Sequence, residues 1–392
     1  MMAATMALHA AAIDTMLPAL PLIGREFAIG EENRLQWIVT AFMMGAGAGQ
    51  LIYGPLSDRF GRRPVLLVGL IAYVLLSLIA SQAPNLDLLI EARFLQGFSV
   101  AAVSVVARSI VRDRYSGATM ARVMSTIFLV FLIVPILAPS IGQLLLLFVS
   151  WRAIFGFLAL LGFGMAVWIA LRLPETLKPE ARRSLAAAHL LAAARFVLTE
   201  PTSILYTLGV TTMFGSVLAY VSTVPQIFAG AFRAPQLMAG TFAICAGTMA
   251  AATFLNSRIV ERVGMYRISH AALVTFIVVT ALHAAIAYRG VESVVTFAVL
   301  QSATMACFSL SVSNFGAIAM QPMGAIAGSA ASVQGVISTI GGALVGSLIG
   351  QQWSGSVFFL PAGACCCGIA ALACVLAAEK ARLFRNRPHP PH

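Results

Sequence analysis

The chain has 392 residues, of which 60% are hydrophobic and 10% charged, and it carries a formal net charge of +11. Soluble domains carry roughly 25% charged residues, so this composition excludes an ordinary soluble fold and indicates an integral membrane protein. The positive charge does not indicate nucleic acid: the basic residues are spread through short connections, with no basic patch interleaved with aromatics, as in the bias that orients membrane helices.

Apolar runs of about 20 residues, each long enough to cross a hydrocarbon core of roughly 30 Å, recur along the length and predict an all-α protein. Twelve spans are expected, at 3–23, 35–55, 65–83, 88–108, 120–144, 152–173, 203–223, 236–256, 268–288, 291–314, 328–350 and 355–378. Their order is six spans, a longer polar connection, then six more. The expected division is a first six-helix half at 1–173, a linker at 174–201, a second six-helix half at 202–378 and a tail at 379–392. The first run has no basic residue before it and carries Asp14 in its apolar part, so it reads as a retained helix rather than a signal peptide. In the linker, Pro174 and Pro179 interrupt any continuous helix, and the short apolar stretch 184–198 reads as a helix lying on the membrane surface.

Positive charge sorts the connections. Arg25, Arg34, Arg152, Arg233 and Arg289 fall on one side of the membrane and Arg93 falls within a span. The other arginines and the lysines, including Arg59, Arg62, Arg63, Arg258 and Arg262, fall on the opposite side. The positive-inside rule then puts the loop at 54–63, the linker and both termini in the cytoplasm. An internal repeat supports the two halves. Asp58, Arg59 and Gly61 are echoed by Glu261, Arg262 and Gly264 about half a chain later, and Pro21 is echoed by Pro225.

Three stretches carry the chemistry. Between the second and third spans lies G-P-L-S-D-R-F-G-R-R, Gly54 to Arg63. Its glycines permit tight helix ends. Asp58 can accept from the amides of a helix terminus, or pair with an arginine in one conformation only, which is a gating role. The alternative is a loop whose charges only set topology. Asp14 lies about 13 residues into the first span, roughly 20 Å along it. A carboxylate there costs at least ~2.5 kcal/mol, which makes a functional role, the loading and release of a proton, the default. Pro18 lacks the N–H that would bond the Asp14 carbonyl and opens the backbone beside the acid. The alternative is a carboxylate held permanently by Arg93 or a hydroxyl. Arg93 stays charged, so it tunes Asp14 or holds an anionic group through its planar fork, unless it snorkels to the surface. In the fifth span Pro135, Pro139 and Gly142 bend the helix and permit close packing, as a specialised seal or as an ordinary kink.

The second half offers no acid or base deep in a span. His270 and His283 read as groups near span ends or in packing hydrogen bonds, with a proton-relay role as the alternative. Tyr206, Phe214, Tyr220, Phe228, Met43, Met44 and Met305 line an adaptable pocket or fill the core. The six cysteines lie in apolar runs without metal-ligand spacing and read as small packing residues. No phosphate-cradling loop, metal cluster or nucleophile–base set is present, so neither an enzyme nor a metal or cofactor is expected and the proton gradient is the energy source.

The string from Gly54 through Arg63, followed by Pro64, resembles the signature between the second and third helices of the major facilitator superfamily, and the resemblance covers essentially the whole chain. It implies that superfamily's fold, twelve helices in two six-helix halves. It also implies a gating role for Gly54, Asp58, Arg59, Gly61, Arg62 and Arg63, with a degenerate second-half echo at Glu261, Arg262 and Gly264. E-A-R-F-L-Q-G resembles the fourth-helix motif, with Arg93, Gln96 and Gly97 in place. V-P-I-L-A-P-S-I-G-Q resembles the antiporter motif, with Gln143 where a second glycine stands. D-T-M-L-P-A-L-P, W-R-A-I-F at 151–155 and L-P-E-T-L at 173–177 narrow the resemblance to the drug:proton antiporters that include the bicyclomycin and chloramphenicol exporters, the Bcr/CflA group. The implied function is proton-coupled multidrug efflux of small amphipathic or neutral compounds by alternating access, in a bacterial inner membrane. Asp14, Arg93 and Gln96 are then the proton-coupling and substrate residues, and the partners are a small-molecule substrate, the proton and the lipid bilayer. A monomer is expected. A proton-coupled symporter importing a small metabolite is the alternative.

Overall fold

The computed structural model describes residues 1–115, 117–177 and 187–384, and every regular element among them is helical. Among the described residues, eleven helical stretches are long and apolar enough to cross a membrane, and Ile133–Leu146 is a further, shorter apolar helical stretch. This is the helix complement expected from the sequence. Outward faces are apolar: α4 (Arg62–Ser81) turns Val68, Ile71, Leu75 and Leu78 outward. Such a face is a liability in water and is satisfied by lipid.

Contacts divide the chain into two compact units. One holds Met1–Leu190, Val224–Ala229 and Arg233–Ala243; the other holds Leu191–Thr223, Gly230–Phe232 and Ile244–His392. The first unit contains α1 (Met2–Asp14), α2 (Leu20–Glu26), α3 (Trp37–Phe60), α4, α5 (Leu86–Arg114), α6 (Gly117–Leu146) and α7 (Arg152–Arg172). The predicted first span is one membrane-length stretch, Met2–Glu26, but its α-helical hydrogen bonding is interrupted inside it. α1 stops at Asp14, a tight 3-10 turn covers Leu17–Ala19, and α2 resumes at Leu20. The cause is Pro18, which removes one intrahelical bond and crowds the carbonyl four residues earlier. α5 starts on the Asn85 side chain, which accepts from the Leu88 N–H at 2.9 Å. It runs past the predicted end at 108, because its final turns carry Arg112 and Arg114, cations that suit a helix C-terminus.

The segment 178–186, with Lys178, Pro179, Arg182 and Arg183, lies outside the described residues, as do Arg385 and Arg387. The stretch expected as a surface helix is helical over α8 (Ala187–Thr199). It is followed by α9 (Pro201–Gln226), α10 (Met238–Val263), α11 (Met265–Tyr288), α12 (Val294–Met320), α13 (Ala327–Gly350) and α14 (Phe359–Ala378).

The core of the second unit joins Tyr206 and Met213 of α9 to Leu273 and Phe276 of α11, Phe308 and Phe315 of α12 and Val375 of α14. Beyond α14 the chain folds back onto α11. The Phe384 N–H donates to His270 Nδ1 at 3.0 Å, and Arg267 Nε donates to the Phe384 carbonyl at 3.4 Å. Tyr206 Oη meets His270 Nε2 at 3.1 Å and donates to Glu379 Oε1 at 3.2 Å. The six cysteines are free thiols.

Candidate functional site

The break in the first span creates the site. A helix ending at Asp14 leaves the carbonyls of its last turn without intrahelical partners. The Ala11 carbonyl accepts from the Thr15 N–H at 3.1 Å, and the Ala12 carbonyl accepts from Arg93 Nη2 at 3.1 Å. Arg93 therefore caps the C-terminus of α1, where a cation is favoured. Two more of its donors are committed: Nη1 to Gln96 Oε1 at 2.6 Å and Nε to the Ile38 carbonyl at 3.4 Å. The guanidinium lies 4.2 Å from the Phe42 ring centroid, and the whole side chain is 0% exposed. Gln96 Nε2 in turn donates to Ser77 Oγ at 2.6 Å. Arg93 and Gln96 are thus a buried, satisfied network that positions the end of α1, and Arg93 does not snorkel.

Asp14 differs. It is 6% exposed, and among the described residues its carboxylate has no hydrogen bond and no ion pair, with Arg93 or any other group. The adjacent Thr15 Oγ1 is likewise buried without a partner. Gly142 of α6 seats directly on this break: a Cβ at Gly142 would lie 2.0 Å from the Thr15 carbonyl oxygen and 3.3 Å from Pro18 Cγ. The fifth-span glycine is therefore pressed against the backbone that follows Asp14. Pro139 is buried on the same helix, and Pro135 and Gln143 are half-buried. Sequence reasoning passed over His9, one α1 turn before Asp14, whose Nδ1 lies 3.2 Å from Ser104 Oγ and whose ring meets Phe42 edge-on.

The turn at 54–63 forms a second cluster. α3 ends at Phe60, and Gly61 at φ +102° begins α4 in a conformation that side chains avoid. Arg62, whose side chain is 9% exposed, is the hub. Its Nε donates to Asp113 Oδ2 at 3.0 Å, and its Nη1 donates to Ser57 Oγ at 2.7 Å and to Asp58 Oδ1. Asp58 therefore pairs with an arginine and does not cap a helix. The cap belongs to Glu175 of the L-P-E-T-L string: Oε1 accepts from the Arg62 N–H at 2.9 Å and Oε2 from the Arg63 N–H at 3.2 Å. Arg63 Nη2 reaches the Ala170 carbonyl at 2.6 Å. Arg59 lies over the Phe60 ring, and Gly54 is half-buried near Val105. Asp113 and Glu175 were missed because their partners lie far away in sequence; a carboxylate directly after a span-ending proline was the available signal.

Glu175 also accepts from the N–H groups of Thr176 and Leu177. Burial pushes its carboxyl up, but the N–H groups of Leu177, Arg62, Arg63 and Thr176 outweigh this and hold it below its ordinary value of 4.5. A depressed carboxyl adds stability that is fully present above the unfolded value and lost as pH falls through the folded one. Replacing Glu175 by Gln should lower stability near neutral pH by about 1 kcal/mol, modest because the group is partly solvated. The gap from wild type should close as pH drops below about 4.5, read by thermal unfolding of the detergent-solubilised protein.

At the second-half echo, Gly264 starts α11 at φ 91°, ψ 143°, close to Gly61 at φ 102°, ψ 154°. Glu261 and Arg262 are exposed, with no hydrogen bond or ion pair among the described residues.

Membrane-length helices, a buried carboxylate without a partner at a broken first span and a charge-tied turn between helices together describe a multi-pass membrane transporter. The chain belongs to the Major Facilitator Superfamily, whose sequence model matches residues 2–346. It is similar to the bicyclomycin resistance protein homolog of Haemophilus influenzae, 31% identical over 348 residues, covering 87% of this chain and 85% of that one. It is also similar to the chloramphenicol resistance protein of Pseudomonas aeruginosa, 32% identical over 346 residues, covering 86% and 78%. Among solved structures, the D-xylose-proton symporter superposes with a TM-score of 0.76 at 14% identity, covering 98% and 97%, a likeness of fold alone.

Proposed function

We propose that the protein is a proton-coupled exporter of small amphipathic or neutral compounds, working as a monomer by alternating access in a bacterial inner membrane with both termini in the cytoplasm. The observation that carries this is Asp14, a buried carboxylate that no hydrogen bond or ion pair holds among the described residues. An acid locked in an ion pair resists protonation, whereas one without such a partner takes up and gives up a proton at little cost in other bonds. Arg93 and Gln96 fix the helix end that bears it. In this reading a proton enters at the Asp14 carboxylate, substrate arrival displaces it, and Pro135, Pro139 and Gly142 of α6 seal the break while the cycle turns. The Gly54–Arg63 turn, with Asp58, Arg59, Gly61, Arg62 and Arg63, and its echo at Glu261, Arg262 and Gly264 act as the gates that open and close one face. The names of the relatives, resistance to bicyclomycin and to chloramphenicol, support drugs as the substrate class.

The test is a susceptibility panel in an efflux-deficient bacterial host. Expression should raise resistance to several unrelated apolar antibiotics, and an uncoupler that collapses the proton gradient should restore their intracellular accumulation. Unchanged accumulation with and without uncoupler would count against proton coupling.

A further inference from the structure

The second unit contains a buried acid and base that the cycle above does not use. His283 lies near the end of α11 at Tyr288, and Glu292 lies in the short connection to α12, where Gly290 at φ +69° turns the chain back. The side chains are 0% and 4% exposed, and His283 Nε2 is in direct hydrogen-bond contact with Glu292 Oε1. Phe297 of α12 meets the imidazole at 5.6 Å, T-shaped, and the rings of Phe232 and Tyr220 stand behind it at 5.5 and 6.4 Å from Phe297. A carboxylate on a connection between spans ordinarily stays in water; one turned into an aromatic shell persists only when paired.

The other buried histidine of this unit shows what sets the pair apart. Both ring nitrogens of His270 are engaged, and a proton arriving at Nδ1 would break its bond from the Phe384 N–H. In the pair, His283 Nδ1 and Glu292 Oε2 are buried without a hydrogen-bond partner. A proton can join or leave there without breaking any other hydrogen bond of the protein.

Among the described residues, the helices packed on α11 supply no competing charge, and Arg233, which follows Phe232, is exposed. α12 and α14, the helices packed on α11, carry no Asp, Glu, Lys, Arg or His. Their titratable side chains are Cys307 on α12 and Cys365, Cys366, Cys367 and Cys374 on α14. α9 contributes Tyr220. On α11, Tyr266, Arg267 and His270 sit at the opposite end, while Tyr288 and the neighbouring Arg289 are exposed.

We propose that His283 and Glu292 form a second proton-binding site, distinct from Asp14, that takes up and releases one proton as a pair. Neutral imidazole with carboxylate has a net charge of minus one. One added proton, taken at Nδ1 or at Oε2 while the Nε2–H···Oε1 hydrogen bond stays in place, brings it to zero, and its departure restores the starting state. Each event changes the charge buried at that end of the unit by one.

The test counts protons. Purified full-length protein in detergent is titrated in weak buffer from about pH 9 to about pH 5, the range in which histidine-linked sites respond. In the double variant H283Q/E292Q the Gln amide reaches about as far as Nε2, so the two amides can pair but cannot titrate. It should bind one proton fewer than wild type at unchanged melting temperature, and D14N/H283Q/E292Q should bind one fewer than D14N. An equal count in both comparisons would overturn the proposal whatever becomes of the Asp14 reading. Should the double variant fail to fold, D14N protein with labelled histidines decides. A His283 ring signal that shifts with pH, or a buried-carboxyl infrared band that appears as pH falls, supports the proton site, and the absence of both overturns it.

Discussion

Replacing Asp14 by asparagine should abolish proton release on addition of a compound identified by the susceptibility panel, and should reduce driven efflux to the level of wild type treated with an uncoupler. The physical grounds are specific. Asparagine has nearly the volume of aspartate but no proton to exchange at any accessible pH. The carboxylate makes no hydrogen bond or ion pair among the described residues, so the substitution removes no tie that holds α1 or α5. A neutral amide is also less costly than an ionised acid in a membrane span, so expression and melting temperature should hold or improve. The measurement is dye-reported proton release from purified protein in weak buffer. Full release in the variant would remove Asp14 from the coupling step.

The second large effect is expected from Gly142→Ala, a single added methyl group. Its carbon would stand 2.0 Å from the Thr15 carbonyl oxygen and 3.0 Å from the Thr15 carbonyl carbon, both backbone atoms that no rotamer change can move aside. Either α6 withdraws or the segment after Asp14 shifts. Overpacking of this kind costs about 1–3 kcal/mol in stability. The functional loss should exceed the structural one, because the displaced backbone directly follows Asp14, the group proposed to carry the proton. A tenfold or greater fall in efflux rate is expected, equivalent to about 1.4 kcal/mol, with protein still reaching the membrane. Gly142→Ser should behave similarly, whereas alanine at the uncrowded Gly164 of α7, where an added Cβ has no neighbour within 4 Å, should be neutral. Efflux assays on variants matched for expression would distinguish these cases.

What was legible in the sequence depended on range. Long apolar runs report the membrane helices directly, because hydropathy is summed over many residues and no tertiary contact is needed to read it. The string around Gly61 and the acid at Asp14 were equally plain, one as a charged interruption and the other as a charge in an apolar run. The break of the first span was half legible: Pro18 announced a freed carbonyl, but the uninterrupted apolar composition of 3–23 concealed the 3-10 turn. The remainder was hidden because it joins distant positions. Nothing near Arg62 indicates that Glu175 caps its helix, and nothing near Ala12 shows that Arg93 will take its carbonyl. Glu292 reads as a surface charge because composition cannot show that Gly290 turns it inward to His283.

The segment that folds back after α14 has a consequence for the order in which the protein is made. Tyr206 is synthesised early in the second unit, His270 in its middle, and Glu379 and Phe384 after its last long helix, yet the four form one bonded set. Translation proceeds at about 5–20 residues per second, and folding follows emergence. His270 therefore waits for its Phe384 partner until the residues after α14 have been made. The earlier helices of this unit can enter the bilayer, but the bonded set closes only after α14 and the segment behind it have followed them.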